Sequence, residues 1–175
     1  AVFATVDAIG EEINVMEGIR LGVKAAIECG VSITGAFDDA CASMLGGIVI
    51  TDNKKNELIK RVEKKCSVLI FVPEEKTFTS ETNISRIRLI APWVEIAYKL
   101  ALDEEFELAM TLNGFLYCGV LGFDTNIMIS ALEAGARGVS LSGTGSSFTA
   151  LVDEERIKDV KDAWEAVSYT HLRAH

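Results

Sequence analysis

Hydrophobic positions along the chain follow two different periods, and the changes between them predict the order of helices and strands. In residues 11–29 the apolar side chains recur every three or four positions, which predicts an amphipathic helix that ends at Gly30. Residues 1–9 have the pattern of the later turns of a buried helix. The apolar run at residues 68–72 is short, continuous and stopped by Pro73, as is typical of a buried strand.

Polar and glycine-containing segments separate the remaining elements. Residues 48–50 and 58–59 flank the polar segment 52–56, which predicts a hairpin. The second half of the chain predicts several helices, then two strands joined by a glycine-containing loop, and a last helix. From residue 68 onward, the order strand, helices, strand, strand, helix is close to a ferredoxin-like α+β arrangement.

Two domains and a short tail follow from this order. We assign residues 1–64 to an N-terminal α/β domain that we expect to be incomplete, and residues 65–166 to a ferredoxin-like C-terminal domain. No N-cap precedes the helix at residues 1–9, so we expect further chain upstream of it. The amphipathic pattern of the last helix then stops abruptly, and we interpret residues 167–175 as a non-native tail.

Charge and composition argue against several classes of protein. The chain has 175 residues, 17 of them basic and 26 acidic, and its net charge of −9 argues against a nucleic-acid or anionic-membrane surface. No apolar stretch has the length of a transmembrane helix, and no signal peptide is visible. The four cysteines are scattered and lack a CxxC pair or a neighbouring histidine. This argues against a metal site and favours a cytoplasmic protein with reduced, mostly buried thiols.

The segment Ser-Gly-Thr-Gly-Ser-Ser at residues 142–147 is the richest local signal for ligand binding. Its small residues let backbone N–H groups approach a ligand closely and form an anion-binding concavity. It is not a P-loop, because no lysine follows the glycines, and it is not a dinucleotide-binding fingerprint, because a strand rather than a helix follows. Taken alone, the segment is better explained as a tight hairpin.

A second candidate site lies in residues 34–47, where Asp38 and Asp39 open a short helix of small residues that ends at Gly46 and Gly47. Carboxylates at a helix start are usually stabilised by the helix dipole, and capping is the simpler interpretation of the pair taken alone. The same position can also present a base to a substrate hydroxyl, with glycines leaving room around it. Both interpretations remain open on this segment alone.

Together and in this order, the two segments resemble those of archaeal-type shikimate kinases, which are members of the GHMP small-molecule kinase superfamily. The sequence Thr-Gly-Ala-Phe-Asp-Asp-Ala at residues 34–40, followed by residues 48–53, is similar to the second conserved block of that family. Further similar stretches lie at residues 114–118, 125–126, 131–135 and 141–145. The resemblance extends from residue 1 to about residue 161.

The resemblance implies an enzyme of aromatic amino acid biosynthesis that uses ATP and Mg²⁺ to phosphorylate the 3-hydroxyl of shikimate. Kinases of the superfamily often place a catalytic aspartate before a Gly-Gly pair with six residues between them, and that position is Asp39. Its neighbour Asp38 would orient the substrate or cap the helix. Thr34 and Gly35 would also bind the substrate. Arg86 would pair with the substrate carboxylate or lie on a solvated helix face.

The resemblance also implies two phosphate-binding segments. One is the loop formed by Ser142, Gly143, Thr144, Gly145 and Ser146. The other is the family's main nucleotide loop, of the Gly-Leu-Ser-Ser-Ser type, which would lie before Ala1. Since a loop of this kind at a helix N-terminus holds nucleotide phosphates, we expect these 175 residues alone to be inactive as a kinase.

Two other functions stay open beside this one. The first is another kinase of the superfamily, acting on homoserine or mevalonate, although homoserine kinases tend to have asparagine at the position of Asp39. The second is a non-catalytic ligand-binding module of ferredoxin-like fold, in which the glycine loop would be an effector site. Such a module would need neither the adjacent aspartates nor a second phosphate loop.

Overall fold

The structure of the chain is a computed structural model that describes residues 1–32, 35–73, 83–143 and 145–172. The chain divides into two compact units, Ala1–Lys65 and Cys66–His175, here called unit 1 and unit 2. Each unit has its own cluster of buried apolar side chains. Helices and antiparallel strands occur in both, which confirms the α+β class.

Unit 1 combines helices with a hairpin. Its described elements are the helices α1 Val2–Ala8, α2 Val15–Glu28 and α3 Phe37–Leu45 and the strands β1 Ile48–Asp52 and β2 Glu57–Val62. The helix α2 begins at Asn14, whose side chain accepts the backbone N–H of Glu17 at 2.9 Å. The strands β1 and β2 pair in antiparallel fashion, which confirms the predicted hairpin, although both strands extend further than predicted.

Unit 2 is built on an antiparallel sheet. Its described elements are β3 Ser67–Phe71, α4 Asn83–Leu89, α5 Ala91–Leu102, α6 Phe106–Leu121, α7 Asn126–Glu133, β4 Gly138–Leu141, β5 Phe148–Val152 and α8 Ile157–Leu172. The strand order is β3-β5-β4, with β5 in the centre. This order agrees with the predicted ferredoxin-like arrangement. The helix α8 continues past residue 166, into the segment that we interpreted as a tail.

The strand β3 differs from the buried strand that its continuous apolar run predicts. It lies at an edge of the three-stranded sheet, beside β5. Leu69 and Phe71 pack against the core of unit 2, whereas Val68 and Ile70 are 51% and 65% exposed. Side chains of a strand alternate between two faces, and the described residues cover only one face of β3.

The opposite edge of the sheet is covered by a helix. The helix α6 packs against β4, and the hydroxyl oxygen of Thr111 accepts the backbone N–H of Val139 at 3.1 Å. The same hydroxyl donates to the backbone carbonyl oxygen of Glu107 at 2.8 Å. An N–H group that an edge strand would leave unpaired is therefore satisfied by a helix side chain.

Trp164 of α8 closes the core of unit 2. Its indole N–H donates to the carbonyl oxygen of Ile127 in α7 at 2.8 Å, and its ring centroid lies 5.6 Å from that of Phe71 in β3. The side chain is 4% exposed. One residue thus connects the last helix both to α7 and to the sheet.

Two further expectations about burial are wrong. The structure buries no residue of α1, because only one side of this short helix faces the rest of the unit 1 residues that the structure describes. Of the cysteines, Cys41 and Cys118 are buried but Cys29 and Cys66 are exposed. Cys29 directly follows α2 and Cys66 directly precedes β3, so neither thiol lies on the apolar face of a helix or strand.

Replacing the buried indole should destabilise the chain. Trp164→Phe removes the hydrogen bond to Ile127 and leaves a small cavity, so we expect a loss of about 1–3 kcal/mol in the free energy of unfolding. Trp93→Phe is the matched control, because Trp93 is 53% exposed and its change should stay within about 0.5 kcal/mol. Denaturant unfolding measures both. Equal effects would show that Trp164 does not hold this core together.

Candidate functional site

The helix α3 is fixed by two fully buried side chains on its inner face. Phe37 and Cys41 lie one helical turn apart and form a cluster with two apolar side chains of α2. Residues four positions apart share one face of a helix, so the intervening Asp38 and Asp39 turn away from this cluster. Both aspartates are exposed, and both lie in the first turn of α3.

The other end of α3 is held by the hairpin. The Nε atom of Arg61 in β2 donates to the backbone carbonyl oxygens of Leu45 and Gly46, at 3.0 Å each. These are carbonyl groups that a helix C-terminus leaves without partners, and a cation there interacts favourably with the helix dipole. The hairpin therefore fixes where the helix ends.

The chain enters α3 through a constrained backbone. Gly35 is buried with φ of +80°, and an added Cβ would lie 2.5 Å from Cγ1 of Val23. Its N–H donates to the hydroxyl oxygen of Ser32 at 2.9 Å. Ala36 follows in the left-handed conformation, with φ of 48° and ψ of 56°, which costs a non-glycine residue about 1 kcal/mol. This turn sets the position at which the two aspartates begin the helix.

Asp38 is held by the hairpin turn rather than by the helix. The Nδ2 atom of Asn53 donates to Oδ1 of Asp38 at 2.8 Å, and the hydroxyl of Thr51 donates to Oδ1 of Asn53 at 2.8 Å. The pairing of β1 with β2 shifts register between Ile50 and Thr51, next to this chain of hydrogen bonds. Such irregularities change the direction in which a strand presents its side chains.

Asp39 differs from its neighbour in its surroundings. Its carboxylate is exposed and receives no hydrogen bond from any residue that the structure describes. Helix α3 has Ala36 at its N-cap and no side-chain capping bond, so neither aspartate caps the helix and the capping interpretation is wrong. An exposed carboxylate without a hydrogen-bond donor is a group that can accept a proton from a hydroxyl.

The pKa of the Cys41 thiol depends on burial and on two charged side chains near the inner side of α3. Burial raises the pKa of its thiol, the carboxylate of Asp38 raises it further, and the guanidinium of Arg20 opposes both. A buried thiol with a raised pKa is a poor nucleophile. Cys41 is therefore a packing residue, and the chemical groups of this segment are its two carboxylates.

The glycine loop of unit 2 joins β4 to β5. The N–H of Ser142 donates to the carbonyl oxygen of Ser147 at 2.9 Å, and the N–H of Gly145 donates to that of Ser142 at 3.4 Å. Gly143 has φ of +63°, and a Cβ added there would point into open space. Ser142, Gly143 and Gly145 are exposed and Ser146 is half-buried, while Thr144 lies outside the described residues. The loop is a tight hairpin with accessible backbone.

The remaining predicted site residues are not brought into either cluster. Arg86 lies in α4 of unit 2 with an exposed side chain, and the structure gives it no described partner. Thr34 lies outside the described residues. In unit 1 the structure brings together Gly35, Asp38 and Asp39, and in unit 2 it brings together the residues of the glycine loop.

The described part of the chain has neither a cluster of three metal-ligating side chains nor a membrane-spanning helix. No three side chains of His, Cys, Asp or Glu come close enough there to hold a metal ion. None of the helices described is both long and apolar enough to cross a membrane.

Comparison with known proteins shows which proteins the chain is similar to. Residues 97–170 match the family of GHMP kinases, C-terminal part. The chain is 61% identical to a shikimate kinase of Methanosarcina acetivorans over 166 residues, which is 95% of this chain. A shikimate kinase of Methanosarcina mazei is 61% identical over the same share. The chain is thus similar to GHMP kinases in its C-terminal part and to these shikimate kinases over most of its length.

The match to these shikimate kinases covers only part of their length. The chain spans 56% of the Methanosarcina acetivorans protein and 57% of the Methanosarcina mazei protein. A crystal structure of homoserine kinase from Cytophaga hutchinsonii shares the fold, with a TM-score of 0.62 at 20% identity, over 98% of this chain and 59% of that protein. The chain thus shares the fold of that homoserine kinase over almost its whole length.

Sequence reasoning missed two residues of the candidate site. Thr51 and Asn53 lie in the hairpin, where Asn53 was interpreted as a turn residue and Thr51 was given no role. The structure connects them to Asp38, which lies 15 positions earlier in the chain than Asn53. The signal was present in part, because residues 48–53 belong to the block on which the family resemblance rests.

Replacing Gly35, which lies just before α3, should destabilise the chain. Gly35→Ala forces a Cβ against Val23 in addition to the strain of a positive φ, so we expect a loss of about 2–4 kcal/mol in the free energy of unfolding. Gly10→Ala is the matched control, because Gly10 has φ of +75° and open space around its Cβ. It should lose only about 1 kcal/mol. Equal losses in thermal or denaturant unfolding would contradict the proposed contact with Val23.

Proposed function

We propose that this chain is part of an ATP-dependent kinase that phosphorylates the 3-hydroxyl of shikimate. The observation that carries the proposal is the 61% identity to a shikimate kinase over 95% of the chain. Residues 1–64 would belong to the N-terminal domain of the kinase and residues 65–166 to its C-terminal domain, with residues 167–175 as a tail. A cytoplasmic enzyme of aromatic amino acid biosynthesis, acting on small molecules, agrees with the net charge of −9.

Asp39 is the base in this proposal. Its carboxylate is exposed and lacks a hydrogen-bond donor among the described residues, so it is available to accept the proton of a substrate hydroxyl. The burial of Phe37 and Cys41 holds the helix turn that carries it. As the proton leaves, the 3-hydroxyl oxygen forms its bond to the γ-phosphorus and the bond to the leaving ADP breaks.

Asp38 orients the substrate. One of its oxygens accepts from Asn53 at 2.8 Å, and the second remains for a further hydroxyl of shikimate. Thr34 and Gly35 are the other substrate-binding residues that we propose in unit 1, and Arg86 of unit 2 would pair with the carboxylate. Arg86 suits this role because its exposed guanidinium can form a bidentate pair.

The glycine loop binds phosphate oxygens. We assign this contact to Ser142, Gly143, Thr144, Gly145 and Ser146. Gly143 supports it, because its positive φ and the open space beside its Cα let a ligand approach the backbone closely. Phosphoryl transfer depends on positioning and charge stabilisation, which is the contribution that oriented backbone N–H groups make.

The proposed kinase would use Mg²⁺ that is bound to ATP. Protein-bound Mg²⁺ usually keeps several waters and binds one or two carboxylates together with substrate phosphates. The described residues contain no cluster of three suitable side chains. We assign the ion to the ATP phosphates.

An activity assay tests the proposed function directly. The chain would be joined to the part of the Methanosarcina acetivorans shikimate kinase that it does not cover, and ADP release would be measured with shikimate, homoserine and mevalonate. We expect turnover with shikimate and little with the other two. The intact relative serves as the positive control. Turnover with homoserine or mevalonate alone would contradict the proposal.

Removing the base should affect the chemical step. In the completed enzyme, Asp39→Asn should lower kcat by about 10²–10⁴ while the KM for shikimate changes much less. Asp7→Asn, the same change at an exposed aspartate of α1, is the matched control and should leave kcat near that of the parent. A near-normal kcat in Asp39→Asn would reject the assignment of the base.

Blocking the glycine loop should weaken binding beyond the loss of stability that a side chain at positive φ brings. Gly143→Val places a side chain in the space that a phosphate would occupy, so we expect binding of ATP to the completed enzyme to weaken by roughly 10-fold or more. Gly122→Val is the matched control, because Gly122 has φ of +80° and open space but ends α6. Calorimetry measures both variants. A folded Gly143→Val that binds ATP and shikimate normally would reduce the loop to a plain hairpin.

A further inference from the structure

Hydrogen bonds between three polar side chains connect the hairpin turn to the first turn of α3. The donor and the acceptor of each bond are defined. The hydroxyl of Thr51 donates to Oδ1 of Asn53, at 2.8 Å. Because that oxygen is engaged as an acceptor, the amide nitrogen of Asn53 faces Asp38 and donates to it at 2.8 Å. The series of hydrogen bonds therefore ends at the carboxylate of Asp38, which is the final acceptor.

This connection contributes little to folding. Asn53 and Asp38 are both exposed, and exposed hydrogen bonds add little net stability because water replaces them. The burial of Phe37 and Cys41 and the bonds of Arg61 already hold α3 in place. The connection does restrict the side chain of Asp38, which would otherwise rotate freely in solvent.

We infer that Asn53, itself oriented by Thr51, is a positioning residue that fixes the carboxylate of Asp38 for the substrate. The inference rests on the proposed function. Asn53 donates to Oδ1 of Asp38, and the structure gives Oδ2 no donor among the described residues. It also separates the roles of two adjacent carboxylates, because Asp38 is held while Asp39 is free of described donors.

The expected kinetic signature is a change in substrate binding. In the completed enzyme, Asn53→Ala should raise the KM for shikimate roughly 3- to 10-fold, with kcat and the KM for ATP nearly unchanged. Asn53→Asp, which has the same shape but cannot donate and repels Asp38, should raise it further. The melting temperature of each should stay within about 2 °C of the parent.

Thr51 provides a coupled test. Thr51→Val removes the group that orients the amide, so it should raise the KM for shikimate by a smaller factor, and Thr51→Ser should restore the parent value. The double variant Thr51→Val with Asn53→Ala should be no worse than Asn53→Ala alone, because Thr51 acts through Asn53. Asn56→Gly truncates another asparagine of the same turn, at φ of 51°, and should leave the KM for shikimate unchanged.

The outcomes separate the inference from the proposed function. If the parent enzyme does not phosphorylate shikimate, the proposed function fails. If it does, an unchanged KM in Asn53→Ala, additive effects of the two variants, or parallel changes in the KM for ATP and in melting temperature overturn the inference.

A second measurement needs no activity. In an NMR spectrum of the 175-residue chain, Asp38→Asn and Thr51→Val should each shift the side-chain amide signal of Asn53, because each removes one of its hydrogen-bond partners. Asp39→Asn should not shift it. An Asn53 signal that is indifferent to Asp38 would overturn the inference even if the enzyme were inactive.

Discussion

The burial of Phe37 and Cys41 is the constraint on which the candidate site depends. These side chains are completely buried, and helical periodicity then requires Asp38 and Asp39 to face outward. The buried Gly35 and the left-handed Ala36 set where the helix starts. The direction of two carboxylates is thus decided by apolar packing on the opposite side of a nine-residue helix.

The hairpin completes this arrangement from both ends of α3. Arg61 holds the carbonyl groups at the end of the helix, and Asn53 holds Asp38 at its start. These contacts make two chemically identical neighbours different, since among the described residues only Asp38 has a hydrogen-bond donor. The proposed kinase reaction would use this difference, because a base must be free to accept a proton whereas an orienting group must keep its position.

The sequence predicted what depends on local pattern. The hairpin, the short helix carrying the aspartates and the order of helices and strands along unit 2 follow from periodicity and turn residues, and the resemblance to a family followed from motifs. The exposed face of β3 was missed because a continuous apolar run does not tell an edge strand from a central one. The link from Asn53 to Asp38 was missed because it is a tertiary contact, and a turn asparagine usually bonds its own backbone. The capping interpretation failed because the helix begins at Phe37, one residue earlier than the aspartates suggested.

The central claim is that Asp39, and not Asp38, receives the proton of the reacting hydroxyl. A crystal structure of the completed enzyme with shikimate and a non-hydrolysable ATP analogue tests it most directly. The account predicts a carboxylate oxygen of Asp39 within about 3 Å of the 3-hydroxyl oxygen, with Asp38 bonded to Asn53 and to a different hydroxyl. A 3-hydroxyl bound to Asp38, with Asp39 in solvent, would contradict it.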